Sequence, residues 1–157
     1  PIPAGDDTLR VIDPRNAFLM DSMLREVTLS GTAARASVQL KRRDLAGKTG
    51  TTNEHVDAWF CGYQRTIVGC SWIGFDQPKN LGNGETGGSA ALPMWIGYMS
   101  RALKDVPESF QPQPEGLVAI DTPGSGRGPG KEFFYKENVP QQIEEEAPQD
   151  PNAKPVD

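Results

Sequence analysis

The sequence predicts an α+β fold in which an antiparallel sheet is flanked by helices. Three observations carry that expectation. Between residues 45 and 75, three runs rich in β-branched and aromatic residues follow one another at hairpin distances. On either side lies a stretch with apolar residues at helical spacing, near 14–30 and 90–103. After Lys104 the composition turns to proline, glycine and charge, with nine of the fourteen prolines in that last third. The expected organisation is residues 1–104 as the packed part and 105–157 as a flexible Pro-rich tail.

Residues 1–10 read as irregular. Asp13-Pro14 is a helix entry, with Asp as cap and Pro as first helical residue. Ala17, Met20, Met23, Leu24 and Val27 recur at helical spacing, and Phe18 and Leu19 widen the stripe. The methionines are expected as core filler, and Gly31 as a left-handed stop. Thr32 to Arg43 reads as a connector. Its basic end (Lys41, Arg42, Arg43) is expected as a solvated turn rather than a surface for an anionic polymer.

The strands are expected at 45–52, 57–63 and 66–75. Asn53 to Val56 joins the first pair, and Gln64-Arg65 leaves room only for a tight hairpin turn. Trp59, Phe60, Tyr63, Trp72 and Phe75 are assigned to sheet and core. Asp76 to Gly88 reads as a loop. A second helix follows over 90–103, with Pro93 in its first turn. Leu92, Trp95, Ile96, Met99 and Leu103 give it an apolar face to lay on the sheet. In the tail, Gly116–Ile120 and Phe133–Tyr135 are apolar islands. They are either short strands added to another surface or sticky spots in a mobile segment.

The chain has 157 residues, a net charge of -5 and a sequence pI near 4.9. An acidic chain of this kind argues against nucleic acid as a main partner. No apolar run approaches the ~20 residues of a membrane-spanning helix. The first residue is Pro1, not Met, which suggests processing or a piece of a longer chain. On the hairpin reading, Cys61 and Cys70 fall on one face, because cross-strand partners sum to an odd number. A disulfide between them is geometrically possible, but two small buried thiols are the commoner state and the expectation here. His55 stands alone in a polar turn, and no Cys/His metal pattern or cofactor motif occurs.

The chemistry is expected at Lys48-Thr49-Gly50-Thr51-Thr52, which opens the first strand. It combines a cation with hydroxyl donors, and Gly50 leaves strand backbone open to a ligand. Such a surface suits a carboxylate and a developing oxyanion. A phosphate loop is excluded: the motif needs Gly five residues before Gly47, where Arg42 stands, and no helical run follows Thr49.

Read whole, Leu45 to Tyr63 resembles the class A, bifunctional penicillin-binding proteins, most closely the 1A type of Gram-negative bacteria. The resemblance rests on Lys48-Thr49-Gly50-Thr51-Thr52-Asn53, then Asp57-Ala58-Trp59-Phe60 and Gly62-Tyr63. It continues through Trp72-Ile73-Gly74-Phe75-Asp76 and Gly87-Gly88-Ser89-Ala90-Ala91-Leu92-Pro93-Met94-Trp95. It covers roughly Val11 to Leu103, and more loosely the tail.

That resemblance implies the C-terminal half of a D,D-transpeptidase domain on the periplasmic side of the inner membrane. A serine there attacks the acyl-D-Ala-D-Ala end of a peptidoglycan stem peptide, and β-lactams acylate the same serine. Lys48 would form the electropositive floor, Thr49 and Thr51 would bind the substrate carboxylate, and Gly50 and Thr52 would complete the substrate-binding strand. The Thr51 N–H would be one arm of the oxyanion hole. Acyl transfer needs an activated nucleophile, yet no serine here is followed by Lys three residues on or by Asn two residues on. The chain alone is expected to be inactive. It would need an N-terminal segment or second chain carrying Ser-x-x-Lys and Ser-x-Asn, and would reach a membrane only through an anchor outside it. The alternative is a non-catalytic module that binds the cell wall or a protein through its sheet edge and tail. A secreted β-lactamase fits less well, because such enzymes are compact and do not usually carry a long Pro-rich acidic tail.

Overall fold

The computed structural model describes residues 11–122 and 130–140. The first helix, α1, spans Pro14–Leu29, and the Asp13 carboxylate caps it by accepting from Arg15 N–H at 2.7 Å. A short helix, α2, follows at Ala34–Leu40. Three strands come next, β1 (Ala46–Thr51), β2 (Ala58–Gln64) and β3 (Ile67–Ile73), then helix α3 (Leu92–Ala102). The last pair of strands is β4 (Leu117–Thr122) and β5 (Gly130–Tyr135).

The first three strands form an antiparallel sheet in the order β1-β2-β3. The register pairs Lys48 with Cys61 and Cys61 with Cys70, and it pairs Thr49 with Phe60 and Phe60 with Ser71. Directly opposed residues share a face, and the face alternates along each strand. One face therefore carries Lys48, Trp59, Cys61, Tyr63, Cys70 and Trp72, and the other carries Thr49, Thr51 and Phe60.

The core lies on the Phe60 face. Phe60 is fully buried against Trp95 of α3, with ring centroids 4.9 Å apart. The glycines Gly47, Gly62 and Gly69 lie opposite one another across the three strands. A Cβ on Gly62 would come within 2.7 Å of the Phe60 ring and 2.9 Å of the Trp95 ring. The row is thus a trough that admits the indole, whose N–H donates to the carbonyls of Gly62 and Gly69. Leu92, Ile96, Met99 and Leu103 complete this core, as the helical spacing predicts.

Helix α1 meets the opposite face. Tyr63 donates its phenol proton to Asp21 at 3.0 Å, and the buried Thr28 hydroxyl donates to the Leu45 carbonyl at 2.6 Å. Burial, and then the hydrogen bond to Asp21, push the Tyr63 phenol up to about 12. The buried stripe of α1 runs through Phe18 and Thr28, and it turns Met20 and Met23 to solvent. The two methionines are therefore not core filler. Gly31 is not in the left-handed region, unlike Gly82, Gly84 and Gly116. Its place is set by close approach: a Cβ there would lie 2.9 Å from the Val27 Cα.

The stretch 32–43 is more than a connector. It contains α2, whose Ala36, together with the preceding Ala33, is fully buried. Small side chains let this short helix lie close to α3. Arg42 is not solvated: it makes two bonds to Asp44, at 2.9 and 2.7 Å, and donates to the carbonyls of Val106 and Pro107. The aromatic assignment holds for Phe60 but not throughout. Trp59, Trp72 and Phe75 are all more than two-fifths exposed.

Cys61 and Cys70 form a disulfide across β2 and β3, on the exposed face. The direct cross-strand pairing allows it, with Cα atoms 4.1 Å apart. Buried thiols were the wrong expectation because the strand face that carries them is the one without the core.

Beyond Lys104 the chain crosses the base of the sheet, where Ser109 N–H donates to Asp44 at 3.0 Å. The two apolar islands then pair with each other, Leu117 against Tyr135 and Ala119 against Phe133. Phe133 meets Phe18 edge-on at 4.9 Å, and Tyr135 lies under the Arg15 guanidinium. These contacts supply the apolar partner that the tail's own composition lacks. Residues 1–10, 123–129 and 141–157, including part of the expected flexible tail, lie outside the described residues.

Candidate functional site

The edge strand β1 presents the Lys48-Thr52 segment. Lys48 is exposed on the disulfide face, with Cys61 directly opposite. Its Nζ donates to the Thr49 carbonyl at 3.0 Å. Among the described residues no ion pair includes Lys48. Beside it, the Trp59 and Trp72 rings meet at a 40° tilt with centroids 6.1 Å apart, and the Trp72 indole donates to Asp57 at 2.8 Å.

Thr49 and Thr51 sit on the other side of the same edge. The Thr49 hydroxyl shares a 3.0 Å hydrogen bond with the Thr32 hydroxyl from the turn between α1 and α2. The Thr51 hydroxyl accepts from the Gly87 N–H at 3.0 Å. Gly87 opens a π-helical turn, Gly87–Ala91, that leads into α3 and is capped by Thr86 and Ser89. Sequence reading missed both partners. The Gly87-Gly88 pair was the available signal, since a side chain at Gly87 would collide with the carbonyls of Trp59 and Gly50.

The backbone adds a donor. Thr52 N–H pairs with the Asp57 carbonyl at 3.1 Å, which points it toward β2. Amide direction alternates along a strand, so the Thr51 N–H points to the open edge. Gly50 lies between Thr49 and Thr51, opposite Trp59. Thr52 itself departs from the expected site. Its hydroxyl accepts from Asp57 N–H at 2.8 Å and closes the turn between β1 and β2. His55 is likewise structural, bonded through Nδ1 to the Glu85 carbonyl at 3.0 Å.

No described serine hydrogen-bonds to Lys48. Ser71 is buried on the core face, Ser89 caps the π-helical turn, and the Ser37 hydroxyl is buried in α2. Among the described residues no His, Cys, Asp and Glu cluster is arranged to hold a metal. A groove runs along α3 past Met94, Tyr98 and Arg101, away from Lys48. It is apolar and shallow and contributes nothing to this site. The arrangement on β1 is a cation on one side of an open strand edge, two anchored hydroxyls on the other, and an outward N–H between.

Known proteins are similar to this chain in sequence and fold. The chain is 48% identical over 147 residues to penicillin-binding protein 1A of Pseudomonas aeruginosa, a match covering 88% of this chain and 18% of that protein. It is 43% identical over 139 residues to penicillin-binding protein 1A of Neisseria lactamica, covering 88% of this chain and 16% of the relative. The crystal structure of penicillin-binding protein 1A from Haemophilus influenzae superposes with a TM-score of 0.74 at 36% identity, covering 85% of this chain and 22% of that one. No protein-family model matches. The chain belongs to the penicillin-binding proteins. Within it, these matches are to the 1A type of Gram-negative bacteria. The chain spans less than a fifth of the length of these curated relatives. Among the described residues no helix is long and apolar enough to cross a membrane.

Proposed function

We propose that this chain supplies the Lys-Thr-Gly wall of a serine-type D,D-transpeptidase site that cross-links peptidoglycan stem peptides and is acylated by β-lactams. The observation that carries the reading is the open edge of β1. It offers an ammonium, two hydroxyls and an outward N–H to one extended ligand. Lys48 supplies the positive floor beside the attacking serine. Thr49 and Thr51 donate to the terminal carboxylate of acyl-D-Ala-D-Ala or of a β-lactam. The Thr51 N–H stabilises the oxyanion, and Gly50 lets ligand backbone lie along the strand.

The attacking oxygen comes from a segment or chain bearing Ser-x-x-Lys and Ser-x-Asn, so this chain alone forms no acyl-enzyme. Residues 1–104 act as the C-terminal half of the transpeptidase domain, with 105–157 as an appended tail. The assembled site works on the periplasmic side of the inner membrane, held there by an anchor outside these residues. No cofactor takes part.

The test is a chimera: Pseudomonas aeruginosa penicillin-binding protein 1A with this chain in place of the homologous segment. The chimera should be labelled by a fluorescent penicillin, and the isolated chain should not. Lys48→Ala in the chimera should slow labelling about a hundredfold. Full-rate labelling of that variant, or an unlabelled chimera, rejects the reading.

A further inference from the structure

The two hydroxyls on β1 are held by different parts of the chain. Thr32, in the turn between α1 and α2, reaches Thr49 at 3.0 Å. The N–H of Gly87, at the start of the π-helical turn, reaches Thr51 at 3.0 Å. The two holders lie near each other: a Cβ on Gly88, the residue after Gly87, would lie 3.2 Å from the Thr32 carbonyl. They form one shell along the core-side flank of β1.

A hydroxyl has one proton and two acceptor lone pairs. At Thr51 one lone pair already takes the Gly87 N–H, so the hydroxyl proton is left for another acceptor. At Thr49 either oxygen of the pair can donate. Once an anion accepts from Thr49, Thr32 becomes the donor to Thr49 and fixes its direction. A free threonine hydroxyl rotates, and fixing it in advance removes that cost from binding.

We propose that Thr32 and the backbone N–H of Gly87 are positioning groups, which aim the Thr49 and Thr51 protons at a ligand carboxylate on the open edge of β1. The proposal rests on the transpeptidase reading above and adds the shell behind the carboxylate anchor. It also accounts for glycine at 87. The N–H can approach Thr51 only with no side chain between it and the carbonyls of Trp59 and Gly50.

The test compares a fluorescent penicillin with its methyl ester, which lacks the carboxylate anion, on the chimera described above. The quantity read is the ratio of the two labelling rates. The unaltered chimera should favour the free acid. Thr32→Val should lower the ratio about five- to tenfold, the worth of one hydrogen bond to a charged group's partner, with the ester rate falling by the smaller factor. Thr32→Ser, which keeps the hydroxyl, should restore the ratio to within about twofold. Gly87→Ala should lower it as well. A change in acid and ester rates by the same factor would show a general structural effect and reject the proposal. So would an unchanged ratio in Thr32→Val beside a collapsed one in Thr51→Val, a result that leaves the transpeptidase reading standing. Loss of the Lys48 dependence rejects that reading instead.

Discussion

Asp44, two residues before β1, and Lys48, within it, are four residues apart, and their surroundings are opposite. The Asp44 side chain is fully buried and accepts from four donors: two nitrogens of Arg42, the Gln64 amide at 2.8 Å and the Ser109 N–H at 3.0 Å. Lys48 is exposed and, among the described residues, donates only to the carbonyl of the next residue. Buried charge is tolerated where every lone pair is met, because an uncompensated one is so costly. The saturated group joins the tail to the sheet, and the unsaturated one remains available to a ligand. The difference separates what folds this chain from what it can do.

Removing the saturated group should have the largest effect. Asp44→Ala strands the Arg42 guanidinium, only 11% exposed, without its carboxylate. The expected loss is about 3–5 kcal/mol, read as a fall in the urea midpoint of the 157-residue chain. A loss below about 1 kcal/mol would show the cluster to be dispensable. The same group sets an acid limit. Burial raises the Asp44 carboxyl, but the hydrogen bonds from Arg42, Gln64 and Ser109 outweigh it and hold the group below its ordinary value. The unfolded chain then binds the proton more readily than the folded one. This contribution is present above about pH 4 and is lost as pH falls through the lower folded value. Asp44→Ala should flatten the acid limb of stability against pH.

The disulfide comes next. It joins residues nine apart, and closing so short a loop is worth about 2–3 kcal/mol. The double variant Cys61→Ser, Cys70→Ser should lose that amount, and reductant should bring the unaltered chain to the same midpoint. A reductant effect that persists in the double variant would show that the bond is not its source. A smaller change follows from the tether between α1 and β2. Tyr63→Phe removes a 3.0 Å hydrogen bond to Asp21, which keeps its 3.0 Å bond to Arg25. About 1 kcal/mol should be lost. No loss would mean that α1 is held to the sheet by Thr28 and apolar packing alone.

The parts legible in the sequence were those whose cause is local. Strand runs, the Asp13-Pro14 helix entry and the apolar face of α3 are written in period and capping residues, and they stand where the pattern put them. The parts missed depend on partners distant in sequence. Ala33 and Ala36 read as an unpatterned connector because their value is smallness beside α3. The paired tail strands need Phe18 and Arg15, roughly a hundred residues earlier. Met20 and Met23 fit a helical stripe, but a stripe does not say which of its edges meets the sheet. At the site, the motif gave Lys48, Thr49 and Thr51. Thr32 and Gly87 could not be read from it, since the hydrogen bonds that join them to β1 span 17 and 36 residues.

The smallest expected change in stability is at the residue of greatest expected consequence. Lys48→Ala removes an exposed side chain whose one hydrogen bond among the described residues is to the adjacent carbonyl. Surface substitutions of this kind move stability by no more than about 0.5 kcal/mol. The urea midpoint of the chain should therefore stay in place while penicillin labelling of the chimera collapses. That dissociation is what a site built on an already folded edge requires. Were Lys48→Ala to destabilise the chain as Asp44→Ala does, the ammonium would belong to the fold, and slower labelling could no longer be assigned to the chemistry at β1.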